Sequence, residues 1–198
     1  MKSADKHRKI ILAATKVFAK KGFFNARISD IAKEAKVADG TIYLYFTNKL
    51  DILLSVFAQE TEKLIDEVST LLNAEEDVQK KLVIFISHHL QAMRKNRPLA
   101  EVIHIELRQT SKLIREYRSS SFSAYPDIIA AIIAEGQEQG IFRPEIDVEL
   151  ATLALFGALD ESSRLWLVNG ADLNHATNQL ALLFQHAFSL PAASAYSA

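Results

Sequence analysis

The sequence predicts an all-α protein of about nine or ten helices, in which a small N-terminal domain of three helices precedes a larger helical domain. Apolar residues recur at the three- and four-residue spacing of a helix along nearly the whole chain. No strand-type alternation of useful length occurs, and glycine, proline and asparagine separate the periodic segments. Together these observations favour packed helices without a sheet.

The N-terminal domain is predicted from three short periodic segments. The first segment carries one apolar stripe and is expected to end at Gly22, because glycine suits a helix C-terminus. Residues 28–35 predict a second helix, 36–38 a tight turn and 39–45 a third helix. The stripe of the first helix consists of Ile10, Ile11, Ala14, Val17 and Phe18.

The larger domain is predicted from longer periodic segments with clear ends. Asp147 is the expected N-cap of one helix, and Gly140, Pro144 and Asn169-Gly170 are expected to lie between helices. The tail from residue 191 is small and is expected to be frayed. The predicted helices cover 48–73, 77–95, 99–110, 112–120, 123–139, 147–168 and 172–189.

Charge is distributed unevenly along the 198 residues, although the formal net charge is only -1. Residues 1–50 contain 11 Lys+Arg and 4 Asp+Glu, whereas the rest of the chain contains 12 and 20. A basic block of this kind indicates a polyanion as partner, and a solvated lysine-rich helix face is the alternative. The chain has no cysteine and no apolar run of about 18 residues, so we expect a cytoplasmic protein without a membrane partner.

Two short helices joined by a three-residue turn are typical of a helix-turn-helix, whose second helix enters the major groove of DNA. At about 100° per residue, Ile42 and Phe46 form the buried edge of the second helix, and Leu44 points away from it. Gly40 and Thr41 stand at its start, where backbone N–H groups can approach a phosphate. An exposed leucine beside the phenols of residues 43 and 45 suits thymine methyl groups.

Residues 7–57 resemble the DNA-binding head of the TetR family of transcriptional regulators. The resemblance rests on Ser29-Asp-Ile-Ala-Lys-Glu-Ala35, on Gly40-Thr-Ile-Tyr-Leu-Tyr-Phe46 and on Asn48-Lys49. It implies a repressor that binds a palindromic operator in double-stranded DNA as a homodimer. The residues that it implies for DNA binding are Arg27, Ser29, Gly40, Thr41, Tyr43, Leu44, Tyr45 and Lys49.

Two positions depart from the pattern of that family. Arg27 stands where a Thr or Ser helix cap is common, so it cannot cap in the usual way but could add a phosphate contact. Lys36 replaces the glycine of the turn and is expected to adopt a left-handed conformation at a cost of about 1 kcal/mol. These departures affect the geometry of the helix ends.

The resemblance divides the chain into a DNA-binding domain at 1–50, an effector-binding and dimerisation domain at 51–190 and a flexible tail at 191–198. The last two helices would pair with their copies in a four-helix interface. Their apolar residues occupy more than one stripe, which favours a dimer over a single large monomer core. The candidate interface residues are Phe156, Leu159, Trp166, Leu180 and Phe184.

A finer resemblance is to the fatty-acid-degradation (FadR/YsiA-like) group of the family. It rests on VADGTIYLYFTNKLDILLSVF, on Ile105-Glu-Leu-Arg-Gln-Thr-Ser111 and on Phe156-Gly-Ala-Leu-Asp-Glu-Ser-Ser-Arg-Leu-Trp166. It implies no cofactor but a small hydrophobic effector, a long-chain acyl-CoA, held in an apolar tunnel with cations at its mouth. The candidate ligand-binding residues are Phe85, His89, Leu90, Arg108, Arg115, Arg118, Phe122, Tyr125 and Phe156.

Other interpretations of the larger domain stay open at this point. The aromatic residues could be ordinary core, the arginines could pair with neighbouring glutamates, and the effector could be another apolar ligand, as in a regulator of efflux. His88 and His89 diverge by about 100° on a helix, so they predict no shared metal site. Asp160 and Arg164 predict an i,i+4 ion pair. No phosphate loop, nucleophile elbow or paired-carboxylate spacing is visible, so we expect a protein that is not an enzyme. The rival classes are a ligand-free architectural DNA binder and an enzyme with a fortuitous helix-turn-helix.

Overall fold

The computed structural model describes residues 2–102 and 124–190 of the chain. The described residues contain helices and no strand, apart from an isolated antiparallel bridge between Phe142 and Ser189. The helices are α1 (Lys2–Lys21), α2 (Ile28–Ala35), α3 (Asp39–Ile42), α4 (Lys49–Asn73), α5 (Val78–Lys95), α6 (Arg97–Glu101), α7 (Ala124–Glu138), α8 (Val148–Asn169) and α9 (Leu173–Phe188). The all-α prediction is therefore confirmed. The helix predicted over 112–120 lies outside the described residues.

The chain forms two compact units, the first from Met1–Lys63 with Met93–Phe122 and the second from Leu64–Ala92 with Ser123–Ala198. Both α4 and α5 contribute residues to each unit. The domain boundary after residue 50 therefore stays a prediction.

In the first unit, α1 packs against α2 and α6, and α2 packs against α3. The predicted apolar stripe of α1 is buried, and Ile52, Leu53 and Val56 of α4 belong to the same hydrophobic core. Val102, which follows α6, also packs into this core. Burial of one helical face by its neighbours is the ordinary source of stability for such short helices.

In the second unit, α7 and α9 both pack against α8. Lys81 of α5 donates to Glu135 of α7 at 2.7 Å, and the Arg143 backbone N–H donates to the Phe188 carbonyl at 2.8 Å. Phe142 is buried, and its ring lies over Gly136, where an added Cβ would come within 2.1 Å of the Phe142 Cδ2. Only glycine at that position leaves room for this ring.

The helix ends of the second unit follow their sequence signals. The Asp147 side chain accepts a hydrogen bond from the Leu150 N–H at 2.7 Å, which confirms the predicted N-cap of α8. Gly170 ends α8 with φ 70°, a left-handed conformation that favours glycine. Asp172 then caps α9 by accepting from the Asn174 N–H at 2.8 Å.

Candidate DNA-binding and effector-binding sites

The turn of the helix-turn-helix is held by Lys36 in a left-handed conformation, with φ 55° and ψ 47°. The backbone N–H of Lys36 donates to the Lys33 carbonyl at 3.2 Å, and that of Val37 donates to the Ala32 carbonyl at 3.0 Å. The sequence-based expectation for Lys36 is confirmed. Among the described residues, it is the one non-glycine residue with positive φ.

The predicted recognition segment, residues 39–46, begins as the α-helix α3 but does not continue as one to residue 45. The N–H groups of Leu44 and Tyr45 donate to carbonyls three residues earlier, at 3.3 and 3.0 Å, so the chain tightens after Ile42. The Phe46 N–H still donates to the Ile42 carbonyl at 3.0 Å. The third α-helix is therefore shorter than predicted, and a tighter helical turn continues it to Phe46.

The recognition segment presents the faces that its sequence predicts. Ile42 and Phe46 are buried in the core of the first unit. Leu44 is 80% exposed and Tyr43 is 60% exposed, whereas Tyr45 is half-buried. The side chain of Leu44 therefore makes little contact with the rest of the chain and is exposed to solvent.

Gly40 lies in α3, where an added Cβ would meet no described atom within 4 Å. Its φ is not positive, so neither the space inside the chain nor the backbone conformation calls for glycine here. Glycine inside a helix is disfavoured by about 1 kcal/mol relative to alanine. Nothing in the described part of the chain therefore requires glycine at this position.

The start of α2 is capped by its own third residue instead of by Arg27. The Asp30 Oδ2 accepts from the Arg27 backbone N–H at 3.0 Å, and Lys21 Nζ lies 2.7 Å from Asp30 Oδ1. A hydrogen bond from Lys21 lowers the pKa of the Asp30 carboxyl. The Arg27 guanidinium has no acceptor and makes no cap bond, so the side chains of Arg27 and Ser29 remain exposed beside the helix N-terminus.

One residue that contacts the recognition segment is not among the predicted DNA-binding residues. His7 of α1 is stacked on Phe46, with ring centroids 4.9 Å apart, and meets the edge of Tyr45 at 6.1 Å. These contacts fix the half-buried Tyr45 against α1. His7 extends the predicted stripe by one turn, since it lies three residues before Ile10 and four before Ile11, but periodicity does not identify the rings that it contacts.

Lys49 begins α4 and turns its side chain back toward the loop between α1 and α2. Its Nζ donates to the carbonyls of Phe24 at 3.1 Å and Ala26 at 2.8 Å, and lies 4.7 Å from the centroid of the Phe23 ring. Burial lowers the pKa of the Lys49 ammonium. In this structure the Lys49 side chain contacts the loop, and its predicted contact with DNA stays a prediction.

In the second unit, four predicted ligand-binding residues form one aromatic cluster, comprising Phe85, His89, Tyr125 and Phe156. The Tyr125 ring lies 5.1 Å from the Phe85 ring, 5.8 Å from His89 and 6.4 Å from Phe156. The Tyr125 hydroxyl is buried and has no hydrogen-bond partner within the described residues. Burial raises the pKa of Tyr125. The cluster thus combines aromatic rings with a buried hydroxyl that has no acceptor or donor among the described residues.

The remaining predicted ligand-binding residues are divided. Leu90 is buried in the same unit. The other four, three arginines and a phenylalanine, lie outside the described residues and are Arg108, Arg115, Arg118 and Phe122.

The predicted dimer-interface residues require a correction. Leu159 of α8 and Phe184 of α9 are buried within the chain itself and belong to its own core. Phe156, Trp166 and Leu180 are half-buried. The outward apolar face of the two helices is formed by other residues, namely Leu150, Leu153, Leu165, Val168, Leu182, Leu183 and Leu190 after α9.

The charged residues on α8 pair differently from the prediction. Arg164 Nε donates to Glu161 Oε2 at 2.9 Å, and a second guanidinium nitrogen contacts Glu161 Oε1. The hydrogen bonds that Arg164 donates to Glu161 raise the pKa of its guanidinium, and the charges of Glu161 and Asp160 raise it further. The ion pair is therefore i,i+3 with Glu161 instead of i,i+4 with Asp160.

The part of the chain that the structure describes contains neither a metal-binding group of side chains nor a membrane-spanning helix. No group of three or more His, Asp or Glu side chains there could hold a metal ion. No described helix is both long and apolar enough to cross a membrane.

Comparison with protein families gives two matches that together span most of the chain. Residues 10–56 match the model of bacterial regulatory proteins of the tetR family, and residues 57–187 match the C-terminal region of the YsiA-like proteins of that family. The second match alone covers more than half of the chain. The chain belongs to the TetR family.

The sequences of two relatives align with most of this TetR-family protein. It is 37% identical over 164 residues to the fatty acid metabolism regulator protein of Bacillus subtilis, covering 83% of this chain and 84% of that protein. It is also 28% identical over 166 residues to the transcriptional regulator TtgR of Pseudomonas putida, covering 80% and 79% of the two chains.

Two solved structures superimpose on most of this TetR-family protein. The fatty acid degradation regulator FadR of Bacillus halodurans superimposes with a TM-score of 0.86 at 36% identity, covering 91% of this chain and 94% of that one. FadR of Bacillus subtilis in complex with stearoyl-CoA gives a TM-score of 0.86 at 35% identity, with coverages of 91% and 98%. This protein is thus a DNA-binding transcription regulator and not an enzyme.

Proposed function

We propose that this regulator is a cytoplasmic, homodimeric repressor that binds a palindromic operator and is released by a long-chain acyl-CoA. The observation that carries the effector assignment is the likeness to FadR of Bacillus subtilis, which was solved in complex with stearoyl-CoA. That likeness extends over the C-terminal region, where the family model is YsiA-like. Control of fatty-acid metabolism follows from the same relatives.

The head supports this proposal through the side chains that it leaves exposed. Tyr43 and Leu44 face water from a segment whose other edge is buried, which suits hydrogen bonds and thymine methyl contacts in a major groove. Gly40 would allow the backbone of α3 to approach DNA, and Thr41 and Tyr45 stand beside it. Arg27 and Ser29 would meet phosphates at the N-terminus of α2.

The dimer is supported by the outward face of α8 and α9. Leu153 is 67% exposed and Leu183 is 59% exposed, and their neighbours extend the apolar surface along both helices. Large contiguous apolar surfaces on a soluble protein mark interaction sites. Two copies joined by a twofold axis would bury the face and present two recognition segments to successive major grooves.

The effector site is supported by the cluster of Phe85, His89, Tyr125 and Phe156. An acyl chain would pack against the aromatic rings, while the Tyr125 hydroxyl would donate to a polar atom of the ligand. Arg108, Arg115 and Arg118 remain the proposed partners of the nucleotide phosphates. A preference of about 100-fold for the state that does not bind DNA, near 2.7 kcal/mol, is enough to switch the repressor.

The test is release of the protein from its operator at fixed salt concentration. Operator fragments selected from genomic DNA are titrated with the protein, and stearoyl-CoA, butyryl-CoA, free CoA and stearate are then added separately. Release by stearoyl-CoA at a concentration at which the other three compounds do nothing is the expected result. Operator binding that no acyl-CoA affects would leave a TetR-family repressor with a different effector, and the absence of specific DNA binding would refute the repressor itself.

A further inference from the structure

The first turn of α4 holds both sides of the helix-turn-helix. Asn48 caps α4 by accepting from the Asp51 N–H at 2.9 Å, and Asp51 Oδ2 accepts from the Thr47 N–H at 2.8 Å, directly after the recognition segment. Lys49, in the same turn, reaches in the other direction to the loop of residues 22–27. That loop leads into the N-terminus of α2.

The contacts of the Lys49 ammonium use its donors inside the chain. An ammonium group has three N–H donors, and two of them are directed at the carbonyls of Phe24 and Ala26. The Phe23 ring, itself buried, lies beneath the charge at 4.7 Å from its centroid to Nζ. Two of the three donors are thus held by the loop, and a phosphate contact at the existing position of the ammonium could use only the third.

We propose that Lys49 is a positioning residue, which supports DNA binding by fixing the loop of residues 22–27 to α4 instead of contacting a phosphate. The loop in turn sets the place of Arg27 and of the backbone N–H groups at the start of α2. The inference rests on the proposed DNA-binding function of the head. It assigns to Lys49 a role that differs from the direct contact implied by the family resemblance.

The salt dependence of operator binding separates the two roles. Each phosphate contact contributes about 0.9 to the slope of log K against log salt concentration, so loss of one contact per protomer lowers the slope of a dimer by about 1.8. For Lys49→Met, a positioning role predicts affinity at least tenfold weaker with a slope within about 0.5 of the wild-type value. The control Lys33→Met removes one exposed charge from α2 without any loop contact, and it measures the effect of charge alone.

Hydrogen exchange in the free protein gives a second readout that needs no DNA. The backbone amides of residues 23–27 are expected to exchange at least tenfold faster in Lys49→Met than in the wild type or in Lys33→Met. If Lys49→Met does not fold, Phe23→Leu takes its place, because it removes the ring beneath the ammonium while every charge is kept. Faster loop exchange and weaker binding at an unchanged slope are then expected.

A slope lower by about 1.8 together with unchanged loop exchange would overturn the positioning role and restore a direct phosphate contact. Unchanged affinity in all variants would overturn both roles for Lys49. Failure of the wild-type protein to bind any palindrome would instead count against the proposed function, while the exchange experiment would still report whether Lys49 holds the loop.

Discussion

Gly40→Ala is expected to separate DNA binding from stability. An added Cβ meets no described atom within 4 Å, so the substitution introduces no clash inside the chain. Alanine is favoured over glycine in a helix by up to about 1 kcal/mol, which corresponds to a rise in Tm of about 2–4 °C for a chain of this length. The fold is therefore expected to be equally or more stable.

DNA binding by the same variant is expected to weaken strongly. A methyl group forced into a close interface costs about 1–3 kcal/mol, and a dimer bears the cost at both half-sites. The expected loss is therefore at least about 2 kcal/mol, or roughly 30-fold in Kd. Fluorescence anisotropy with a labelled operator measures the affinity at one fixed salt concentration, and thermal melting measures the stability.

Gly157→Ala is the control for the stability term. Gly157 of α8 is the second helical glycine with no described atom within 4 Å of an added Cβ, but it lies four residues after Leu153 on the proposed dimer face, so its Tm reports helix propensity only where sedimentation shows the same oligomeric state for both variants. Wild-type operator affinity in Gly40→Ala would refute the inference that the backbone at Gly40 approaches DNA. A marked fall in Tm for Gly40→Ala would contradict the conclusion that an added Cβ at this position meets no other atom of the chain.

Three further substitutions test the turn, the core and the dimer. Gly136→Ala is expected to lower the free energy of unfolding by about 1–3 kcal/mol in urea denaturation, because its Cβ would lie 2.1 Å from Phe142 Cδ2; unchanged stability would contradict the packing. Lys36→Gly relieves a left-handed lysine and is expected to raise that free energy by up to about 1 kcal/mol, whereas a decrease would show another need for the lysine. Leu153→Glu is expected to weaken dimerisation at least about 100-fold in sedimentation equilibrium, since each copy would lose about 1.5 kcal/mol or more of apolar burial. Leu71→Glu, on an exposed leucine of α4, is its control, and a Leu153→Glu dimer as tight as the wild type would exclude this face.

The sequence alone predicted most of the described helices, apart from the shorter α3, and it predicted which face of the recognition segment is buried. The stripe of α1, the N-cap at Asp147 and the left-handed Lys36 all depend on residues close in sequence, and local patterns describe such interactions well. Outward exposure of Leu44 followed for the same reason, because its buried neighbours Ile42 and Phe46 lie within four residues.

The contacts that the sequence did not predict depend on distant or alternative partners. Periodicity marks Leu159 and Phe184 as apolar, but it cannot say which of two apolar stripes packs inside the chain and which meets a partner. Lys49 contacts carbonyls 23 and 25 residues earlier, a return of the chain that no local pattern encodes. Arg164 had acceptors at both i−4 and i−3, and only the side-chain geometry selects Glu161.

The length of α4 has a mechanical consequence for a switch. Its 25 residues form a single rod of about 37 Å, with the caps and Lys49 attached at one end. Tilting such a rod by about 5° displaces its far end by roughly 3 Å, which is close to the rise of one base pair. A rotation of this helix by a few degrees would thus move Lys49, and the cap beside the recognition segment, by about one base-pair step.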